Sequence, residues 1–237
     1  MVKEKKNIIR SLIPPLLFIL LLWIIKLGEI FTHIDLGFLG VYPRKVFGLP
    51  GIITSPLIHS DLKHLFANSV PILVLGGCLL YFYKEIALKT IVLLYIIPGI
   101  SVWLGAREAF HIGASGVVYG LASFLFFSGI FRKDARLLAI TLLVTFLYGS
   151  MVWGIFPDFY PEKNISYESH FWGLVTGTLL AFYFRKKGPR RKKYSWEIEE
   201  ELEEELRRQE QEELSIHAEN SKETMIKYIY KKDNPEK

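Results

Sequence analysis

The chain has 237 residues, of which 51% are hydrophobic and 22% are charged, and its formal net charge is +5. Apolar and charged residues are separated along the sequence, since residues 8–185 contain long apolar stretches and residues 185–237 are almost entirely polar. A soluble core of this size would interleave its charges at helical or strand period, so the separation indicates a membrane protein. The single cysteine, Cys78, excludes an internal disulfide and a cysteine-rich metal site.

The N-terminal segment has the charge pattern of a secretory signal, with four basic residues ahead of its apolar stretch: Lys3, Lys5, Lys6 and Arg10. No small-residue cleavage site follows this stretch, and further apolar segments do. We therefore interpret it as a retained first helix.

Hydropathy predicts six membrane spans of roughly 17–22 residues, about the length that a ~30 Å hydrocarbon layer requires. These spans lie near residues 11–31, 62–83, 87–105, 115–131, 137–156 and 168–185. The predicted fold is an all-α membrane bundle over residues 11–185, preceded by a cytoplasmic N-terminus at 1–10 and followed by a charged, partly helical tail at 186–237. Pro98 and Gly99 interrupt the third span, where we expect a kink or a shortened helix.

Basic residues predict the orientation of the bundle in a cell membrane. With the N-terminus inside, the cytoplasmic side receives sixteen lysine and arginine residues and the outer side receives six, namely Lys26, Arg44, Lys45, Lys63, Arg107 and Lys163. Six spans then return the C-terminus to the cytoplasm. The basic run at 185–193 follows the last apolar helix, so anionic lipid headgroups are a simpler partner for it than nucleic acid.

Polar residues begin three of the predicted spans. They occur in residues 59–68, 111–120 and 169–177, at the starts of spans 2, 4 and 6. Even-numbered spans run inward, so all three groups enter from the outer side at a similar shallow depth. Because ionisable groups inside a membrane face the bundle interior or a water-filled cavity, one cavity could contain all three.

Helical spacing brings some of these polar residues onto common faces. His64 and Asn68 are four residues apart and share a face, as do Ser115 and Tyr119. His59 lies five residues before His64, a rotation of ~140°, so we expect it to point elsewhere or to precede the helix.

Glycines predict a close approach of spans 4 and 6. His170, Gly173 and Gly177 follow one another on one face of span 6, and Gly116 and Gly120 supply the matching spacing on span 4. Missing side chains at such spacing let two helices approach closely. That approach would bring His170 near the serine that begins span 4.

These residues meet the requirements of nucleophilic catalysis. Ser115 is a poor nucleophile until a base takes its proton, and the imidazole of His170 can do so near neutral pH. No aspartate or glutamate is positioned to orient His170, which predicts a Ser–His dyad with Tyr119 packed against the imidazole. His64, Asn68 and the Ser115 backbone N–H would form the oxyanion hole. The glycines that flank Ser115 in sequence, Gly113 and Gly116, permit the tight backbone that exposes it.

At these residues the sequence resembles the rhomboid family of intramembrane proteases over about residues 55–185. The family's Gly-x-Ser-Gly is present at 113–116 with its tyrosine at Tyr119, and its His-x4-His-x3-Asn pattern is present as His59, His64 and Asn68. Its last-helix pattern, Ala-His-x-x-Gly-x-x-x-Gly, is present with Ser169 in place of the alanine. Gly-x-Ser-Gly alone is very common, whereas the three patterns in order on separate spans are specific.

The resemblance implies a six-helix rhomboid-like bundle that cleaves transmembrane protein substrates near the outer ends of their helices. It implies Ser115 as nucleophile, His170 as general base and acid, His64 and Asn68 as oxyanion stabilisers, and His59 as an assisting residue on the second helix. It implies no metal or organic cofactor. The sequence does not define the oligomeric state or the physiological substrate.

Three other interpretations are open to the same residues. A zinc site could use His59, His64, His111 and His170, but no His-Glu-x-x-His motif is present and the spans lack acidic ligands. A rhomboid-like pseudoprotease would be expected to lack the serine or the histidine. A small transporter would be expected to contain inverted repeats or a charged residue at mid-membrane. The sequence contains no internal repeat, and we expect no aspartate, glutamate, lysine or arginine buried well inside a span.

Overall fold

The structure, a computed structural model, describes residues 2–133, 135–147, 166–187 and 195–233. These ranges are mostly helical and contain no strand. The helices are α1 (Val2–Thr32), α2 (Gly51–Thr54), α3 (Leu62–Phe82), α4 (Ala87–Gly105), α5 (Ser115–Arg132), α6 (Ala135–Leu147), α7 (Tyr167–Tyr183) and α8 (Ser195–Asp233).

Four of these helices are long and apolar enough to cross a membrane: Glu4–Thr32 within α1, α3, α4 and α5. The last predicted span corresponds to α7, which has 17 residues. The predicted span at 137–156 begins within α6, and its residues beyond 147 lie outside the described ranges. α4 is helical throughout Pro98 and Gly99, where the sequence predicted a kink or a shortened helix.

The central helix of the bundle is α5. Thirteen of its 18 residues are buried, which is the pattern of a helix surrounded by protein on all sides. It packs against α3, α4, α6 and α7, and its contact with α7 is the most extensive between any two of the described helices. Phe124 and Leu125 are fully buried in the main apolar core, together with Leu75 of α3 and Leu94 of α4. The helix that begins with Ser115 is thus the one that its neighbours constrain most.

The first helix packs along α3. Gly76 and Gly77 of α3 leave room for Pro15 and Leu12 of α1, since a methyl group on either glycine would lie within 3.3 Å of them. Nearer the C-terminal end of α1, the indole Nε1 of Trp23 donates to Ser69 Oγ at 3.1 Å.

Lys26 is a buried charged residue of the first helix. We counted its charge on the outer side of the predicted first span, and the structure places it within α1 with only 7% of its surface exposed. Its ammonium is buried with the carboxylate of Glu29, one turn further along the helix. We expected no lysine or glutamate buried well inside a span, and this buried pair lies close to the C-terminal end of α1.

The segment between α1 and α3 consists of short helical turns, at Gly37–Leu39, Val46–Gly48, Gly51–Thr54 and Ser55–Leu57. Its Phe38, Val46 and Phe47 are exposed, in keeping with a location at the membrane interface. Val41 is buried and pairs through its backbone with His111 by two hydrogen bonds of 2.9 and 3.0 Å. This pairing attaches the segment to the loop that precedes Ser115.

The tail helix, α8, is a separate unit and, apart from the half-buried Glu197, is exposed along the part whose side chains are described. Arg207 and Arg208 lie 3.3 and 3.9 Å from Glu203 and Glu204, which are one turn earlier. Pairs at this spacing stabilise a solvated helix slightly.

Candidate active site

Ser115 is the first residue of α5, and the loop before it has a specific backbone conformation. Gly113 has a φ of +106°, a region that side chains other than glycine rarely adopt. Its N–H donates to the carbonyl of Ser55 at 2.9 Å. Because Ser115 begins the helix, its own N–H has no carbonyl one turn earlier within the helix to bond. Ser115 therefore carries both a hydroxyl and a helix-terminal amide at the end of this loop.

Ser115 and His170 are brought together. The Nε2 atom of His170 lies 2.8 Å from Ser115 Oγ, and both residues are 7% exposed. For the hydroxyl to donate to Nε2, the neutral ring must carry its proton on Nδ1. Tyr119 stacks on the imidazole, with 4.2 Å between ring centroids and 11° between ring planes. The three side chains predicted to act together are in contact.

Glycines in α5 and α7 make this contact possible. A methyl group on Gly173 would overlap the carbonyl of Gly116, and one on Gly177 would overlap the carbonyl of Gly120. The two backbones are therefore in direct contact, as in other small-residue helix pairs. Since His170 is three residues from Gly173 on the same face, this close approach determines its distance from Ser115.

The side chain of His64 borders the loop before Ser115. A methyl group on Gly113 would lie 2.7 Å from His64 Cε1 and 3.0 Å from Nε2, so this edge of the imidazole faces the loop. On the other edge, Nδ1 lies 3.2 Å from the hydroxyl of Ser60. Asn68 is 4% exposed, and its amide Nδ2 donates to the carbonyl of His64 at 3.2 Å. Both predicted oxyanion donors thus belong to the first turns of α3.

His59 precedes α3 and joins it to the Ser115 loop. Its ring centroid lies 5.1 Å from that of His64, and its Nε2 accepts a long hydrogen bond of 3.4 Å from the N–H of Ala114. Burial, and to a lesser extent the neighbouring His64, lowers the pKa of His59 to about 3. His59 is therefore a neutral acceptor in the folded protein, as the bond from Ala114 requires.

Asp61 begins α3 as its N-cap. Its carboxylate accepts from the N–H of His64 at 2.8 Å and from the hydroxyl of Ser60 at 2.7 Å. These two bonds, in that order, hold the pKa of Asp61 below its ordinary value. A capping carboxylate of this kind stabilises the helix start that carries His64.

The sequence placed His111 at the start of the fourth predicted span, as a conceivable zinc ligand or a loop residue without a chemical role, and the structure connects it to the start of α7. It is 2% exposed, and its Nδ1 lies 2.7 Å from the hydroxyl of Ser166, the N-cap of α7. Ser166 in turn lies 2.8 Å from the hydroxyl of Ser169. Burial lowers the pKa of His111. A buried histidine in a loop has no sequence pattern, so only the tertiary structure could reveal this contact.

Glu168, the acidic residue nearest to His170 in sequence, has other partners. Its carboxylate lies 3.6 Å from the guanidinium of Arg107 and 3.9 Å from Nδ1 of His111. It thus joins the loop before α5 to the start of α7.

Metal ligation receives no geometric support from the part of the chain that the structure describes. No group of three or more histidine, cysteine, aspartate or glutamate side chains converges there in a way that could hold a metal ion. His59 and His64 are neighbours, but His59 accepts from Ala114 and His170 faces Ser115.

Comparisons with known proteins identify the family of the chain. The family model described as the rhomboid domain matches residues 47–187. Uncharacterized proteins of Mycobacterium bovis and Mycobacterium tuberculosis are each 31% identical to the chain over 173 residues, which cover 70% of this chain and 72% of theirs. A Bacillus subtilis protein, YdcA, whose name marks it as a candidate rhomboid protease, is 27% identical over 155 residues, 59% of this chain and 69% of its own.

The chain belongs to the rhomboid family of intramembrane serine proteases. It is accordingly a membrane protein, as its long apolar helices indicate, and by family a hydrolase.

Proposed function

We propose that the chain is an intramembrane serine endopeptidase in which Ser115 and His170 hydrolyse peptide bonds in or near transmembrane segments of other membrane proteins. The observation that carries this proposal is the 2.8 Å separation of Ser115 Oγ and His170 Nε2, with Tyr119 stacked on the imidazole. A serine is activated when it lies within hydrogen-bond distance of a base and a third group holds that base in place.

In the acylation half of the reaction, Ser115 Oγ attacks the carbonyl carbon of the scissile peptide bond as its proton passes to His170 Nε2. The carbonyl π electrons move to oxygen and form a tetrahedral oxyanion. When that intermediate collapses, the C–N bond breaks and His170 gives the proton to the leaving nitrogen. The product is an ester of Ser115 and a free amine.

The oxyanion would be stabilised by donors that meet at the start of α5. The Ser115 N–H lies at a helix N-terminus, where the amide has no intrahelical partner and the helix dipole favours negative charge. His64 faces the same loop, across Gly113. Asn68 bonds the carbonyl of His64 in the resting site, so its amide would rotate toward the oxyanion during the reaction. We propose His59 as the residue that supports this loop through Ala114.

In deacylation, His170 takes a proton from a water molecule, whose oxygen attacks the ester carbon. Collapse of the second tetrahedral intermediate breaks the bond to Ser115 Oγ, and the proton returns to that oxygen. The products are a carboxylic acid and the regenerated serine, and the groups that the chain supplies to these steps are side chains and backbone amides.

The proposed topology has six spans, with residues 1–10 and 186–237 in the cytoplasm and the membrane domain at 11–185. The bias of lysine and arginine residues supports it, and the bias increases when Lys26, which is buried in α1, is left out of the outer-side count. Fusions of a reporter that is active on only one side of the membrane, placed after residue 134 and after residue 237, would test it. Outer-side activity for either fusion contradicts the proposal.

The proteolytic function is tested with purified protein in liposomes and a single-span test substrate. We expect Ser115→Ala and His170→Ala each to abolish cleavage, because each removes one partner of the proton transfer. Ser123→Ala is the matched control, since Ser123 lies on the same helix and donates to the carbonyl of Leu174 in α7 at 2.9 Å, away from the dyad. Equal cleavage by the wild type and Ser115→Ala contradicts the assignment.

A further inference from the structure

Lys26 and Glu29 form a buried ion pair near the outer end of α1. Their side chains are only 9% and 11% exposed, and 2.8 Å separates the ammonium from a carboxylate oxygen. The other carboxylate oxygen of Glu29 accepts from the N–H of Leu36 at 3.1 Å. Charged groups in membrane helices are costly, and those that are retained commonly have a functional role.

The remaining hydrogen bonds of Lys26 go to the loop before α3. Its ammonium donates to the carbonyl of His59 at 2.9 Å and to the carbonyl of Ser60 at 3.0 Å. Together with the bond to Glu29, these satisfy all three N–H donors of the ammonium. The pair is therefore directed at two consecutive carbonyls rather than at solvent.

Those two carbonyls belong to the residues that lead into the active site. The His59 imidazole accepts from the N–H of Ala114, next to Ser115, and lies edge-on to the His64 ring. The hydroxyl of Ser60 lies 3.2 Å from Nδ1 of His64. The position of the His59–Ser60 backbone thus controls both the loop that presents Ser115 and the ring of His64.

We infer that Lys26, held by Glu29, is a positioning residue that fixes the His59–Ser60 backbone and thereby aligns His64 and the Ser115 loop for oxyanion stabilisation. This inference rests on the proposed proteolytic function. It assigns α1 a role in catalysis, although no residue of α1 belongs to the dyad or to the proposed oxyanion donors.

The alternative is that the pair only attaches α1 to the bundle. Packing of α1 on α3 is already provided by Pro15 and Leu12 against the glycines of α3, and by the bond from Trp23 to Ser69. Buried ion pairs can often be replaced by neutral groups without loss of stability, whereas removing one partner alone is strongly destabilising. A double substitution therefore separates positioning from anchoring.

The test compares Lys26→Met/Glu29→Gln with Trp23→Phe. The double variant removes both charges and the bonds to the His59 and Ser60 carbonyls, while the glutamine side chain at position 29 keeps an acceptor for the N–H of Leu36. Trp23→Phe removes a different α1–α3 hydrogen bond that does not touch this loop. For each variant we would measure Tm, kcat and KM on a single-span substrate, and the rate at which a fluorophosphonate probe labels Ser115.

We expect Lys26→Met/Glu29→Gln to keep a Tm near that of the wild type, to lower kcat and the labelling rate roughly tenfold, and to change KM less than about twofold. Trp23→Phe should keep kcat and the labelling rate. Wild-type kcat in the double variant, or an equal loss of kcat in Trp23→Phe, overturns the inference. A wild type that neither cleaves nor is labelled at Ser115 would instead refute the proposed function, which is a different result.

Two further measurements test the inference, one for the case that the double variant does not fold and one that does not depend on activity. If the double variant does not fold, Lys26→Gln/Glu29→Gln replaces it, since it leaves no buried charge without a partner, and the shorter amide at position 26 can still donate to position 29 but does not reach the loop carbonyls. Wild-type kcat in that variant overturns the inference. Hydrogen exchange of the segment that contains Ala114 needs no activity. Its protection should fall in the folded Lys26 variant and not in Trp23→Phe, and equal protection in both overturns the inference.

Discussion

The imidazole of His170 lies parallel to the phenol ring of Tyr119, with 4.2 Å between centroids and 11° between planes. The stack limits rotation of the imidazole and leaves Nε2 directed at Ser115 Oγ. We expect Tyr119→Phe to keep kcat within a few-fold of wild type, because the ring remains. Tyr119→Leu should lower kcat by roughly tenfold or more, because the base is no longer oriented.

Steady-state kinetics on a single-span substrate distinguish these two variants. KM should change little in both, since Tyr119 is 7% exposed and contacts the base. Equal activity of the phenylalanine and leucine variants would contradict an orienting role for the ring.

Gly173→Ala should abolish activity and lower stability. Its methyl group would overlap the carbonyl of Gly116, so α5 and α7 would have to separate and Ser115 would move away from His170. We expect the free energy of unfolding to decrease by several kcal/mol, because the added methyl group overpacks a backbone contact. Gly28→Ala is the matched control, because a methyl group on Gly28 in α1 has no heavy atom within 4 Å. Thermal unfolding and cleavage assays on both variants check this, and a stable, active Gly173→Ala would contradict it.

Asn68→Ala should lower kcat far more than it raises KM. An oxyanion donor acts on charge that develops in the transition state, and loss of one such donor costs about 3 kcal/mol, or roughly a hundredfold in kcat. Since the amide also donates to the carbonyl of His64, a modest decrease in Tm is expected as well. Unchanged kcat in the folded variant would remove Asn68 from the proposed oxyanion hole.

Acidification should destabilise the protein through His59. Its pKa is about 3 in the folded chain, mainly because of burial, against an ordinary value of 6.5. Below about pH 6.5 the unfolded chain binds a proton that the folded chain does not, so stability is lost as the pH falls from there toward about 3. Each pH unit in that window contributes at most about 1.4 kcal/mol per histidine.

Thermal unfolding in detergent across this pH range checks the effect. His59→Gln should reduce the pH dependence of Tm without abolishing it, because burial also lowers the pKa of His111 and acts in the same direction. Parallel pH profiles for the wild type and His59→Gln would contradict this assignment.

Much of the site could be predicted because its chemistry depends on short, local spacing. The start of α5 at Ser115 and the glycine spacing of α5 and α7 follow from patterns within a few residues. The family was likewise correctly identified from three motifs. Roles for Ser115, His170, His64, Asn68, Tyr119 and His59 remain predictions until the variants are measured.

Other features could not be predicted, because they depend on partners distant in sequence. The charge of Lys26 was counted on the outer side of the predicted first span, and its burial was not expected, because a lysine near a span end ordinarily extends its ammonium toward the interface. Only the carbonyls of His59 and Ser60, more than thirty residues away, explain its burial. His111 is a similar case, because its partner Ser166 is 55 residues away. The predicted topology at the end of the fifth span falls outside the described ranges.

The backbone contact between α5 and α7 has a consequence for the energetics of turnover. Because the distance between Ser115 and His170 is determined by main chain against main chain, few rotatable bonds separate the nucleophile from its base. The loss of conformational freedom needed to align them is incurred once, when the helices pack, and is not repeated in each catalytic cycle. A dyad built on longer side chains, or on mobile loops, would have to find its alignment anew with every substrate.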